Sequence, residues 1–505
     1  MAFSLLDEPW LPLVTTDGSH QQGSLREALL EPTRWAGLDS AHPLQCLALY
    51  RLLLAISHRA IGPADTSDDR AELLDSWPAD QVEAYLTKWV DRFELFGGDR
   101  PFMQHPGVAA VLQPETPCTV MAPELSSGSN ATLWDRSLDA APPLFDSAEL
   151  ARMLVAQQQF SPCGLVRKIR TSGSRGFGSK LQLLLPLGPT LQATLAMNLL
   201  PQAVGDYQLD PPCWEAELPT IKQLEQGIKF TPAGPAQRYT AQVRAVLLVE
   251  ASPHCYYGAG FATPDALPVV DPMAAVVQGS KGPMPLMLYE GRTLWRDATA
   301  LLGGAGSVPP AVLEHAAELM MAAGVYEPIE LLAGGILPDT SNQAKTVLWR
   351  LEQRHLAPGL VGNAEAQAVV EALLEQVTAI SKALYGAIST LCRGWLDQGS
   401  EVGVDEKAVT AFRKGLQHDA LFWGSLETEF WGAIHSLGDG ATGEAVLDGW
   451  RQTLRLTVRM VWDHCCTQIG NDGRGLRARG LAGHAIGKVM AGLAESVETS
   501  AALGA

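Results

Sequence analysis

The sequence predicts an α+β chain, with an irregular mixed α/β domain over residues 1–360 followed by a C-terminal antiparallel four-helix bundle over 361–505. Three observations carry that expectation. Up to His355, short β-branched and aromatic runs alternate with helix-period stretches and Gly/Pro turns, in a chain with 48 glycines and 33 prolines. After His355-Leu356-Ala357-Pro358-Gly359 the pattern turns helical, and Val370, Leu373, Leu374, Val377, Ile380, Leu384, Ile388, Leu391 and Trp395 fall on one stripe. A length of 505 residues with 47% hydrophobic content suffices for two or three domains with their own cores.

The N-terminal part opens with Leu5-Leu6-Asp7-Glu8-Pro9-Trp10-Leu11-Pro12-Leu13, an apolar run broken by prolines, which suits an edge strand that buries Trp10. Pro43 to Arg59 and Gln81 to Phe96 read as helices, and Phe96-Gly97-Gly98-Asp99-Arg100-Pro101-Phe102-Met103-Gln104 as a turn and an extended segment. Thr116 to Pro143 has no sustained period, and a loop of that length in a compact domain is functional or disordered. It contains Trp134, whose indole needs a partner either outside the chain or within its own domain. Ser147 to Gln159 is a helix opened by Asp146 or Ser147. Leu181 to Pro186 and Gln242 to Val249 are strand-like, and Trp214, Tyr256 and Tyr257 read as core. Ala275 to Gln278 is a strand ending at Gly279-Ser280-Lys281-Gly282-Pro283, so that Lys281 projects from a tight turn. Pro309 to Ala323 is helical.

Composition limits the functions available. The net charge of -18 argues against a general nucleic-acid binder, so any polyanion contact must be local. The N-terminus lacks the basic start and long apolar core of a signal peptide, and the apolar stretch Leu44 to Ile56 is interrupted by Gln45 and Arg51 and is too short for a bilayer. We expect a cytoplasmic protein without a membrane partner. The eight cysteines form no Cys-x-x-Cys pair, and His464-Cys465-Cys466 reads as helix packing, so no metal and no cofactor are assigned.

Two stretches carry candidate chemistry. Arg167, Lys168, Arg170, Arg175 and Lys180 surround Gly173-Ser174-Arg175-Gly176-Phe177-Gly178-Ser179, the composition of a phosphate- or groove-contacting loop, or of a flexible surface connection. It is not a P-loop, because Gly178-Ser179-Lys180 inverts the required order and a strand, not a helix, follows. Gly334-Gly335-Ile336-Leu337-Pro338-Asp339-Thr340-Ser341-Asn342-Gln343-Ala344-Lys345 reads as a hairpin tip, with Thr346 to Trp349 returning as a strand. The uncharged amides of Asn342 and Gln343 suit reading or prising apart base edges better than acid-base chemistry; they fit an ordinary polar loop as well.

Beyond Pro358 the helices are expected near 370–395, 406–436, 443–469 and 476–495. Arg451, Arg455 and Arg459 recur at i+4, and Arg474, Arg477 and Arg479 cluster before the last helix; both sets read as solvated faces paired with acidic neighbours.

Taken in order, Leu6-Asp7-Glu8-Pro9-Trp10-Leu11-Pro12, Arg100-Pro101-Phe102-Met103-Gln104, the Gly173 to Gly178 loop, Pro328-Ile329-Glu330-Leu331, Gly334-Gly335 and Asn342-Gln343-Ala344 resemble the CasA family, the large subunit of the type I-E CRISPR surveillance complex, Cascade. The resemblance covers essentially the whole chain. It implies a non-enzymatic antiviral-defence subunit that finds the protospacer-adjacent motif in double-stranded target DNA, wedges the strands apart for R-loop formation by the CRISPR guide RNA, and recruits the helicase-nuclease alongside the other Cascade subunits. Carried over by position, Asn342, Gln343 and Ala344 form the hairpin entering at the motif, with Gln343 as wedge. Gly173, Ser174, Arg175, Gly176, Phe177 and Gly178 form the loop along the minor groove, and Lys281 reads the same groove. Leu133, Trp134 and Asp135 fall where the family has a mobile loop near the guide's end. A narrow groove with a degenerate code admits a small glycine loop and a thin lysine. Two other readings stay open: an enzyme acting on a phosphate substrate through the basic loop, and a helical adaptor without nucleic-acid contact.

Overall fold

The computed structural model describes residues 3–503 apart from 129–134, 136–137, 202–206, 265–269, 305, 340–344 and 398–402, with the backbone alone of 207 and 494–503. The fold is mixed α+β with a helical C-terminal region. The chain divides into two compact units, residues 1–292 with 306–361, and residues 293–305 with 362–505.

In the first unit, β1 (Leu11–Thr15) lies between β2 (His20–Gly23) and β3 (Trp35–Leu38). The expected edge strand is therefore a central one. Pro12 is accommodated because it faces the end of β3, where Asp39 N donates to its carbonyl at 3.0 Å, so its missing N–H falls beyond that ladder. Trp10 is fully buried as expected, with Nε1 donating to Leu5 O at 2.9 Å.

Helix α1 (Pro43–Ile61) follows, and every residue from Leu44 to Ser57 is buried. A helix buried on all sides belongs to the middle of a core. It is long and apolar enough to cross a membrane, yet 78% of its apolar window is covered by this chain. The charge within its buried stretch, Arg51, meets Asp271 at 2.8 Å with both side chains fully buried, and its guanidinium lies 4.3 Å from the Tyr239 ring centroid. The predicted helix Gln81 to Phe96 is shorter than expected, Ala79–Lys88 with a single turn at Val90–Arg92, which frees Phe93 to stack on Phe102.

Helix α2 (Ser147–Phe160) is capped by Asp146, whose carboxylate accepts from Glu149 N at 2.7 Å. A two-stranded hairpin, β4 (Gly164–Lys168) and β5 (Arg170–Gly173), comes next, then β6 (Leu183–Leu187). Strands β7 (Arg244–Leu247) and β8 (His254–Ala259) pair antiparallel, as do β9 (Val276–Gly279) and β10 (Gly282–Pro285). After α3 (Ala311–Ala322), the long strands β11 (Ile329–Pro338) and β12 (Thr346–Leu356) form the hairpin whose tip was read from sequence. The sheet order is β12-β11-β6.

The second unit holds α4 (Ala364–Leu396), α5 (Glu406–Gly415), α6 (His418–Gly438), α7 (Gly443–Ile469) and α8 (Gly473–Leu503). The stretch expected as one helix, 406–436, is broken where Gln417 adopts a left-handed φ of 50°. Helix α4 packs along α7 and α8, and α6 along α7. Thr293–Ala305, which the sequence assigned to the N-terminal part, belongs here, because Trp295 stands 5.7 Å from Trp423 and 5.1 Å from Phe430 between ring centroids. The arginines expected before the last helix lie in the first turns of α8 and are structural: Arg474 lies 4.0 Å from the Trp395 ring centroid, Arg477 pairs with Asp397 at 3.1 Å, and Arg479 donates to Gly470 O at 3.0 Å. Arg477 alone has the acidic neighbour expected; the other two cap carbonyls or cover a ring.

Candidate nucleic-acid interface

The basic loop hangs from the C-terminal end of α2. Gly176 N donates to Ser161 O at 2.9 Å and Gly178 N to Gln159 O at 3.0 Å, so these two amides are spent inside the fold. A Cβ on Gly176 would meet Gln159 O at 2.2 Å, and one on Gly178 would meet the Phe160 ring at 2.9 Å. Close approach of the chain to itself thus accounts for both glycines, where the sequence reading invoked close approach to a groove. Phe177 is buried against Ala241, Val243 and Phe230. Ser174 is half-buried, its hydroxyl accepting from Thr263 N at 3.1 Å. Of the loop, Arg175 is what solvent meets.

The chain leading into the loop is equally constrained. Arg167 and Ile169 hold φ values of 61° and 67° where the β4–β5 register shifts, which turns Arg167 outward at the hairpin tip. Arg170 donates to Leu224 O at 2.8 Å, and Lys168 Nζ to Thr116 Oγ1 at 3.3 Å. The strand β6 after the loop, in place of a helix, leaves no helix N-terminus to hold a phosphate.

Lys281 sits exposed in a two-residue turn, with Gly279 paired to Gly282, as the sequence led us to expect. Beyond β10 its arm continues to Leu286 and Leu288, and here the three candidate elements meet. Lys180 N donates to Ile336 O of β11 at 2.9 Å, Leu288 N donates to Lys180 O at 2.9 Å, and Gln182 N donates to Leu286 O at 3.1 Å. Gly335 is glycine because a Cβ there would lie 2.2 Å from Leu181 O. The segment 180–182 therefore ties the loop's exit to the stem of the β11–β12 hairpin and to the Lys281 arm. At that hairpin's far end Asp339 N donates to Lys345 O at 2.9 Å; Asn342, Gln343 and Ala344 lie outside the described residues. Arg167, Arg175 and Lys281 are exposed, and among the described residues none of them has an ion-pair partner.

The fourth candidate stretch is only partly described. Asp135 accepts from Ser126 N at 2.5 Å, closing the base of its loop; Leu133 and Trp134 lie outside the described residues. A cavity of about 270 Å³ opens beside this base, lined among others by Ser127, Gly128, Phe160, Leu165, Lys168 and Trp349. In its wall Glu124 meets His42 Nδ1 at 3.1 Å, and burial raises the Glu124 carboxyl above its ordinary range while His42 opposes that rise. Groups of three or more metal-ligating side chains do not occur among the described residues.

A family model described as CRISPR-associated protein Cse1 matches residues 4–461. The chain belongs to the CasA/Cse1 family. CRISPR-associated protein CasA/Cse1 of Thermus thermophilus is 32% identical over 517 residues, covering 98% of this chain and 99% of that protein. The solved structure of Thermus thermophilus CasA (Cse1) superposes with a TM-score of 0.84 at 29% identity, over 97% of this chain and 99% of the other. A chain of a CRISPR RNA-guided surveillance complex superposes with a TM-score of 0.70 at 20% identity, over 97% of this chain and 99% of its own, a likeness of fold. Within the family fold, the residue that sequence reasoning missed is Arg244, whose signal was a lone charge in the otherwise uncharged strand-like run Gln242 to Val249.

Proposed function

We propose that this chain is the large subunit of a type I-E CRISPR surveillance complex, a non-enzymatic cytoplasmic protein that reads the protospacer-adjacent motif through the minor groove. Arg175 and Arg167 meet the duplex beside Lys281, and the tip at Asn342-Gln343-Ala344 enters at the motif, with Gln343 starting strand separation. Helices α4, α6, α7 and α8 close as an antiparallel four-helix bundle, and the assembled surface recruits the helicase-nuclease. The observation that carries this reading is the junction at Lys180, since one backbone segment supports the basic loop, the Lys281 arm and the long hairpin together. The acidic whole, with a net charge of -18, fits a chain whose other surfaces face protein subunits.

Opening the duplex costs stacking of about 1.4 kcal/mol per step, which later guide pairing roughly replaces, so initiation is the costly part. A side-chain amide occupying the vacated stack lowers that barrier without burying a charge. The test is strand-opening kinetics of the assembled complex carrying Gln343→Ala. Motif binding should stay near wild type, opening should slow, and a target pre-opened by mismatches next to the motif should restore the rate. A pre-opened target that gives the variant no advantage would remove Gln343 from the role of wedge.

A further inference from the structure

The β4–β5 hairpin is short; Val166 and Ile169 pack it down, Lys168 and Arg170 bond to neighbouring segments, and its neck is held separately. Two-stranded hairpins are marginal in water, and in this one Gly164 pairs with Gly173 and Leu165 with Ser172 before the register shifts. At its neck lies Arg244, 3% exposed on β7. Its Nη2 donates to Pro162 O at 2.6 Å, Nη1 to Ser174 O at 2.5 Å and Val243 O at 3.0 Å, and Nε to Tyr257 Oη at 2.9 Å. One guanidinium thus joins the chain two residues before the hairpin to the residue that leaves it.

The guanidinium is itself held. Arg244 N donates to Gln158 Oε1 at 3.0 Å, Gln158 Nε2 donates to Arg244 O at 2.9 Å, and Gln157 Nε2 donates to Tyr257 Oη at 2.6 Å. Gly173 has a reason in the same place, since a Cβ there would stand 3.0 Å from the guanidinium carbon. Among the described residues Arg244 has no carboxylate partner, so its buried charge rests on carbonyls and one hydroxyl. A rigid planar fork can span two carbonyls on opposite sides of a neck; a lysine ammonium offers donors from a single point.

We propose that Arg244 is the positioning residue of the basic surface. It fixes Ser174 on one side of Arg175 while Ser161 O fixes Gly176 on the other, so Arg175 and the hairpin cation Arg167 are presented in one arrangement before the duplex arrives. This rests on the reading that Arg167 and Arg175 meet DNA.

The hairpin carries its own reporter, because trypsin cleaves after Arg167 and Lys168. In the full chain Arg244→Met should speed cleavage there by about tenfold, and Arg244→Lys should do so as well, since the ammonium cannot reach both carbonyls. An unchanged rate in Arg244→Lys overturns the proposal, and that variant decides alone if Arg244→Met does not fold. In the assembled complex Arg244→Lys should weaken duplex binding, and adding Arg175→Ala to it should cost less than Arg175→Ala costs alone, while Lys281→Ala should add in full. Full additivity with Arg175→Ala overturns the proposal, since a merely destabilised chain would behave that way. If cleavage speeds up while neither Arg244→Lys nor Arg175→Ala alters duplex binding, the duplex reading fails and the positioning role with it, though the neck clasp stands.

Discussion

The amide of Lys180 donates to the carbonyl of Ile336 at 2.9 Å, and this bond joins the exit of the basic loop to the stem of the long β11–β12 hairpin. Lys180 holds a φ of 74° to make it, a left-handed conformation that a side chain adopts at a cost of about 1–2 kcal/mol. The neighbouring bond from Leu288 N to Lys180 O brings in the Lys281 arm. Elements far apart in sequence therefore share one support.

The loop's glycines and its arginine should separate cleanly in experiment. Gly176→Leu places a Cβ at 2.2 Å from Gln159 O and should destabilise the chain by about 1–3 kcal/mol or more, read as a lowered thermal midpoint. Arg175→Ala should leave stability within about 0.5 kcal/mol, because the side chain is exposed. It should weaken duplex binding by the assembled complex and lower the slope of affinity against salt by about one ion. A Gly176→Leu chain as stable as wild type would show that the loop does not pack on α2.

Acid should weaken the first unit through two histidines. Burial pushes His58 down to about 3 and His315 down to about 4, with Arg70 adding to both. His315 is held neutral between the Ser67 hydroxyl at 2.9 Å and Ala196 O at 3.1 Å. Both pKa values lie below the ordinary 6.5, so the unfolded chain binds protons that the fold does not. Their stabilising contribution is whole above that value and lost as the pH falls toward the folded values. At about pH 5 the loss should be roughly 2 kcal/mol for each histidine. Denaturant titrations at neutral and acid pH measure it, and His315→Gln should flatten part of the dependence.

Trp295 ties the segment Thr293–Ala305 to the helices. Trp295→Ala should cost the helical unit about 3–5 kcal/mol, since a 1% exposed indole packed on Trp423 and Phe430 leaves a cavity that rigid helices cannot close. A fragment of residues 362–505 should show helical circular dichroism, and its melting point should rise when a peptide of residues 293–305 is added. No rise would mean that the segment adds nothing to the helical unit.

How much of this was legible in the sequence depends on the range of the interactions. The Lys281 turn was readable because Gly279-Ser280-Lys281-Gly282 fixes the backbone locally, and the returning strand because Thr346 to Trp349 is β-branched and aromatic. Gly334-Gly335, read as part of the tip, lie within β11, where Arg350 O and Leu181 O leave no room for a Cβ. Helices with long stripes, such as Ala364–Leu396, were readable for the same reason. The membership of Trp295 was not, because nothing local says which distant ring an indole will meet. Nor could the spacing of Gly173, Gly176 and Gly178 tell whether the close neighbour is a ligand or the chain; the structure supplies Arg244, Gln159 O and Phe160. The break at Gln417 escaped notice because it uses a left-handed residue without glycine. Gln343 and Trp134 were singled out from their local sequence and given their roles by resemblance to the family, and both lie outside the described residues.

The central claim is that Lys281 and the basic loop read the flank of the target together, by different means. The direct measurement is selection of bound duplexes from a library with randomised flanking motifs, comparing complexes assembled with wild-type chain, Lys281→Ala and Arg175→Ala. Lys281→Ala should compress the preference between motifs by about 1–3 kcal/mol, as loss of a base-edge contact does, while Arg175→Ala should weaken all motifs alike. An unaltered motif ranking and affinity in Lys281→Ala, with the variant complex fully assembled, would contradict the account.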